Sequence, residues 1–176
     1  MHPTLVLFSG LPGCGKTTLA RQVATALPAP LLAKDRVQRV LRDHVPGAAP
    51  VDGYRLLLDL ADEQLGLGVS VVLDAVFPLA EFRDEARAVA ARHAARFRPI
   101  YCYCSDEAVW RARVAARVQY VPGWTPVGWE EVERLRGFYE PWDPAAALFV
   151  DALDPPAANL ARVLAYLRDA ATRPPH

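Results

Sequence analysis

Cysteine is scarce, with three residues in a chain of 176: Cys14, Cys102 and Cys104. The number is odd, no pair has CxxC spacing, and Cys102 and Cys104 lie in an apolar run. A disulfide framework is therefore excluded and a reducing cytoplasm is expected. An excess of charge of one sign is also missing, since 20 basic side chains face 20 acidic ones at a pI near 6.9. That balance offers no electrostatic footprint for duplex nucleic acid, although local arginine clusters still suit small anions. Long hydrophobic runs are absent as well. No stretch approaches the roughly 18 residues of a membrane helix, and Met1 to Phe8 lacks the basic start of a signal peptide. A soluble protein with no membrane partner is expected.

What is present is a 52% hydrophobic chain of ordinary domain size, read as one domain over 1–176. At this length roughly 70% of the unfolded surface is buried on folding, so no structural metal is needed. Short β-branched or leucine-rich runs alternate with longer alanine- and arginine-rich stretches of helical period. This rhythm predicts an α/β layer sandwich around a parallel sheet. Strands are expected at Thr4–Ser9, Leu31–Ala33, Val69–Leu73, Phe97–Cys104 and Leu148–Val150. Helices are expected near Lys16–Leu27, Asp35–Asp43, Tyr54–Leu65, Glu81–Ala95, Asp106–Arg117, Trp129–Tyr139 and Ala157–Ala170. Val118–Gly128 holds Pro122, Gly123, Trp124, Pro126 and Gly128, and reads as a mobile lid between helices.

Gly10-Leu11-Pro12-Gly13-Cys14-Gly15-Lys16-Thr17 matches G-x-x-x-x-G-K-[ST] directly after a strand and opening a helix. Glycines there let backbone N–H groups turn toward phosphates, and the helix N-terminus adds partial positive charge. Lys16 is placed on the β- and γ-phosphates and the Thr17 hydroxyl on Mg²⁺. Thr18 and Cys14 are counted with this nucleotide-binding segment. Cys14 reads as a small packing residue, the alternative being a reactive thiol at a helix N-terminus.

The companions of this loop distinguish transfer from hydrolysis. Asp74 is followed by Ala75, Val76 and Phe77, without the water-positioning glutamate of motor ATPases. The single asparagine, Asn159, cannot supply the asparagine-lysine-x-aspartate motif of GTPases. Transfer needs a base, arginines and a water-excluding lid. Asp35, after the second strand, faces the crevice above the carboxyl edge of a parallel sheet and is the candidate base, the alternative being a helix N-cap. Arg36 and Arg39 share a helix face and suit an anionic part of the acceptor. Asp74 is a candidate for Mg²⁺ or the acceptor. Arg113 and Arg117, four apart, open the lid and suit adenine and phosphate, with Arg111 turned away. Tyr120, Trp124 and Trp129 either close over an acceptor or anchor the lid. His44 and His93 have no metal-ligand spacing, and Tyr101-Cys102-Tyr103-Cys104 is a strand with two faces.

These residues, with Thr18-Leu19-Ala20 after the loop, Lys34-Asp35-Arg36, Val71 to Phe77 and Arg113-Val114-Ala115-Ala116-Arg117, give the chain a resemblance to a family. It resembles the small P-loop kinases with an AAA-type ATP-binding domain, a group including the 5′-hydroxyl polynucleotide kinase domain, gluconate kinase, chloramphenicol phosphotransferase and zeta toxins. The resemblance implies a five-stranded parallel sheet in order 2-3-1-4-5, with ATP and Mg²⁺ as cofactors. It implies Asp35 as acceptor-activating base, Arg113 on adenine, Arg117 on phosphates, and Asp151 to Pro155 near the base. The expected function is transfer of the γ-phosphoryl group to a hydroxyl of a sugar, nucleoside or antibiotic. The alternatives are a 5′-hydroxyl polynucleotide kinase and a nucleotide-dependent switch without an acceptor.

Overall fold

The computed structural model describes residues 2–116 and 127–169. The described chain runs β1 (Thr4–Ser9), α1 (Lys16–Ala26), β2 (Leu31–Ala33), α2 (Lys34–His44), α3 (Pro50–Gly66) and β3 (Val71–Asp74). It continues α4 (Ala80–Arg92), β4 (Arg96–Tyr103), α5 (Glu107–Ala115), α6 (Trp129–Phe138), β5 (Leu148–Asp151) and α7 (Pro156–Arg168). The five strands form one sheet in the order β2-β3-β1-β4-β5, and every pairing is parallel. This is the α/β layer sandwich that the alternating pattern predicts.

Side chains alternate across a strand, so β1 serves two cores at once. Leu5 and Leu7 pack on one face with Leu57, Leu65, Val71, Leu73 and Phe97. Val6 and Phe8 pack on the other with Leu19, Val23, Val72, Ile100 and Val150. All six residues of β1 are buried, as a central parallel strand covered by helices on both faces requires. The Tyr101–Cys104 alternation follows the same rule. Cys102 enters the core beside α1, whereas Tyr101 lies against Tyr139 and Phe149 on the opposite face.

Register brings the carboxyl ends of three strands together. Phe8 of β1 pairs with Asp74 of β3, and Asp74 pairs with Ala33 of β2. The glycine-rich turn, the start of α2 and the acidic end of β3 therefore open on one edge of the sheet.

Two boundaries differ from the sequence expectation for a physical reason. α3 begins at Pro50, four residues earlier than its periodicity suggests, because Pro50 starts the helix and the Asp52 carboxylate accepts from the Ala49 amide at 2.8 Å. α2 begins at Lys34 with Ala33 as its N-cap, so Asp35 is inside the first turn and does not cap the helix. Among the described residues no helix is long and apolar enough to cross a membrane.

Candidate nucleotide and acceptor site

The turn from Gly10 to Gly15 is held from both sides. Gly10 sits at φ +132°, and a Cβ there would meet the Cys102 carbonyl oxygen at 2.0 Å. Its N–H donates to the Val76 oxygen at 3.2 Å, tying the turn to the segment after β3. Gly13, at φ +86°, lies so close to α5 that a Cβ would stand 2.6 Å from Val114 Cγ2. The Trp110 indole of α5 donates to the Pro12 carbonyl at 2.7 Å. Only glycine fits these two places.

Lys16 is 8% exposed and its Nζ donates to the Leu11 carbonyl at 2.9 Å, across the mouth of the turn. Two cavities meet here. The smaller, ≈ 430 Å³, is lined by Gly13 to Leu19, Arg113, Ala152, Asp154 and Asn159. The larger, ≈ 1010 Å³, is lined by Lys34, Asp35, Arg36, Asp74 and the apolar surfaces of α3, α4 and α6. Lys16 and Thr17 line both.

The smaller cavity gathers the nucleotide residues expected from sequence. Arg113 crosses from α5 to the turn after β5, donating to the Ala152 oxygen at 2.9 Å. That turn is shaped by Asp151, which accepts from Leu153 N at 3.0 Å, and by Asn159, which donates to the Asp151 oxygen at 2.8 Å. The stretch Asp151–Pro155 therefore borders this cavity through Ala152 and Asp154. Cys14 is 3% exposed, and burial pushes its thiol up to about 11 despite nearby Lys16. Cys14 packs in the core with Leu19, Val23 and Cys102, the environment that the packing reading expects.

The larger cavity gathers Asp35, Arg36 and Asp74. Asp74 is 7% exposed at the end of β3. Lys34 Nζ lies 5.1 Å from the centre of the Tyr54 ring, and burial lowers its basicity. Arg39 lines neither cavity, and its guanidinium faces Asp43 at 3.7 Å. Arg42 takes the place on this wall that the sequence suggested for Arg39. Arg117, Tyr120 and Trp124 lie outside the described residues, as does the expected lid except Val127 and Gly128. Trp129 acts as an anchor, packed edge-on against Trp110 at 5.0 Å and donating to Glu133 at 2.8 Å.

A buried clasp was not visible in the sequence. Arg83 is 4% exposed and donates to the carbonyls of Phe77 at 2.9 Å and Pro78 at 3.0 Å, and to that of Glu140. Its guanidinium lies over the Trp142 and Tyr139 rings at 4.6 and 5.0 Å. Ser9, at the end of β1, accepts from Trp142 Nε1 at 3.0 Å and bonds the Tyr139 hydroxyl at 2.7 Å. The clasp fixes the segment after α6 against the loop after β3, and that loop lines the larger cavity. Phe77 is held there at φ +47°, its amide donating to the Tyr54 hydroxyl at 3.3 Å.

The fold and the strand-to-helix phosphate turn define the class: this is the fold of the small P-loop kinases. The chain belongs to the AAA domain family, whose model matches residues 5–141. It is similar to a sugar kinase from Janibacter at 19% identity, with 96% of each chain covered and a TM-score of 0.71. The Mycobacterium tuberculosis APS kinase CysC, in complex with AMPPNP and APS, is 22% identical over 96% of this chain and 99% of that one, with a TM-score of 0.68. Kti12 of Chaetomium thermophilum, in complex with ADP-AlF3, is 19% identical over 94% of this chain and 100% of that one, with a TM-score of 0.73. Uncharacterized proteins of Mycobacterium tuberculosis and Mycobacterium bovis are 39% identical over 101 residues. The match covers 49% of this chain and a fifth of the length of those curated relatives.

Proposed function

We propose that this chain is an ATP- and Mg²⁺-dependent phosphotransferase that moves the γ-phosphoryl group to a hydroxyl of a small molecule in the cytoplasm. The observation that carries the reading is that Lys16 and Thr17 line both cavities. A nucleotide in the smaller cavity, phosphates over the turn, presents its γ-phosphate to the larger one, where Asp35 and Asp74 stand.

Asp35 accepts the acceptor's proton as its oxygen bonds the γ-phosphorus and the bond to the β,γ-bridging oxygen breaks, releasing ADP. Lys16 holds the β- and γ-phosphates in line. Arg113 holds the base end, and Arg117 contacts the phosphates. Tyr120 and Trp124 close over the acceptor, while Arg36 attracts an anionic part of it. The Thr17 hydroxyl and the Asp74 carboxylate are hard oxygen donors on one wall, the donor set Mg²⁺ takes from a protein that leaves its other positions to phosphate and water. The ion's contribution when bound is neutralisation of phosphate charge.

The fold shared with a sugar kinase and an APS kinase supports this reading. Incubation with γ-labelled ATP and a panel of hydroxyl compounds tests it. Label is expected on an acceptor, and release only as inorganic phosphate across the panel would refute transfer.

A further inference from the structure

The larger cavity also carries information on the acceptor. Its ≈ 1010 Å³ lies at the upper end of the roughly 300–1,000 Å³ typical of pockets for drug-sized ligands. A six-carbon polyol would fill a fraction of it. Away from Lys16 three separate elements supply apolar wall, with Val51 and Tyr54 of α3, Phe82 of α4, and Leu135 and Phe138 of α6. Tyr54 and Phe82 are stacked at 4.4 Å with 11° between their planes, and this aromatic pair lines the cavity. Phe138 is 41% exposed, a partly open ring on the α6 wall of the same cavity.

Much of the polar side-chain inventory of these walls is already engaged within the protein. Glu131 and Arg134 pair at 2.6 Å, and Arg134 also lies over the Phe138 ring at 5.5 Å. Arg42 pairs with Asp43 at 2.9 Å, and Gln38 Nε2 donates to the Ala49 carbonyl at 3.3 Å, which leaves its Oε1 as one buried acceptor without a partner among the described residues. Lys34 stands over Tyr54. A polyol needs one polar partner for each hydroxyl it buries, and this wall has few to give. A ring skeleton needs apolar area and a single hydroxyl near Asp35.

We infer that the acceptor is a bulky ring-bearing alcohol, its apolar skeleton against Tyr54, Phe82 and Phe138 and one hydroxyl directed to Asp35, and not a sugar or sugar acid. The inference rests on the phosphotransferase reading, and two readouts separate them. Saturation-transfer NMR with AMPPNP present reports binding, and γ-labelled ATP reports transfer. The probes are chloramphenicol, puromycin and erythromycin on one side, and gluconate, glucose and glycerol on the other. The expected result is saturation of, and transfer to, a ring compound, with Phe138→Asp weakening that compound at least tenfold; circular dichroism confirms that the variant is folded. Transfer to a polyol with no ring compound bound overturns the inference and keeps the kinase. Ring compounds that bind in a Phe138-dependent way but receive no label keep the cavity's chemistry and overturn the kinase. Binding by neither group, or ring binding indifferent to Phe138→Asp, overturns the inference.

Discussion

Lys16 is one of only two lysines among 20 basic residues, and the other, Lys34, lines the same cavity. An arginine suits a planar clamp, whereas a compact ammonium suits a buried point contact to phosphate, and both lysines are placed where that difference matters. Lys16→Ala removes a charge from the centre of the phosphate site, so turnover is expected to fall by roughly a thousandfold or more. Its folded-state hydrogen bond is a single one to Leu11, so the variant stays folded by circular dichroism. Turnover close to the parent would refute the phosphate assignment. Gly10 makes the opposite demand. A Cβ 2.0 Å from a backbone oxygen at φ +132° cannot be relieved by a side-chain shift, so Gly10→Ala is expected to lose several kcal/mol in urea unfolding, roughly 3 or more. A loss under about 1 kcal/mol would show that the turn is looser than described. The glycine-lysine-threonine motif, Asp35 and Asp74 are legible because their chemistry is local to one turn or one strand end. Lys34 carries a signal too, its rarity, which composition exposes once arginine and lysine are counted apart.

The elements around the larger cavity depend on contacts that sequence cannot place. Arg83 meets carbonyls 57 and 58 residues away, and Ser9 meets aromatic groups 130 and 133 residues away. Neither residue type nor helical period distinguishes Arg83 from the exposed arginines of the same helix, Arg87 and Arg92. The same distance in sequence hides Tyr54, Phe82 and Phe138, which read only as helix residues until α3, α4 and α6 are packed. The secondary structure of the described residues was legible in type, because apolar periodicity is local, and its errors fall at element ends, such as the start of α3 at Pro50, the start of β3 at Val71 and the end of α4 at Arg92. Arg83→Met keeps the length of the side chain and removes every donor to the Phe77, Pro78 and Glu140 carbonyls. With those carbonyls left buried and unpaired, the expected loss is about 3 to 5 kcal/mol of stability, read by urea unfolding. Acceptor KM should rise more than ATP KM, since Arg83 itself grips the loop after β3 at Pro78, on the wall of the acceptor cavity. A fully stable variant would mean that the segment after α6 is fixed by packing alone.

On the scale of the whole molecule, burial sets both its response to pH and its division of labour. Burial pushes Cys14 up to about 11, Cys102 up to about 12 and Tyr139 up to about 12. The unfolded chain gives up these protons near 9.0 for the cysteines and 10.0 for the tyrosine. Between those limits the folded state binds more protons than the unfolded one, so stability falls as pH rises. The contribution is intact below pH 9 and declines from there, with up to about 1.4 kcal/mol per pH unit for each group involved. The melting temperature is expected to drop steadily between pH 9 and pH 11, and a flat profile would show these groups to be hydrated. The division of labour is the stronger claim. The described residues proposed for the nucleotide line one cavity, Asp35, Arg36 and Asp74 proposed for the acceptor line the other, and Lys16 and Thr17 line both.

Asp35→Asn tests that division most directly, because it preserves shape, removes the proton acceptor, and disturbs no helix cap. Paired measurements on the same preparation give the ATP dissociation constant by calorimetry and the rate of label transfer from γ-labelled ATP. The account predicts ATP affinity within a few-fold of the parent and transfer lowered by roughly 100-fold or more. Affinity and transfer falling together would contradict it, placing Asp35 in the nucleotide or metal site and leaving Asp74 as the base.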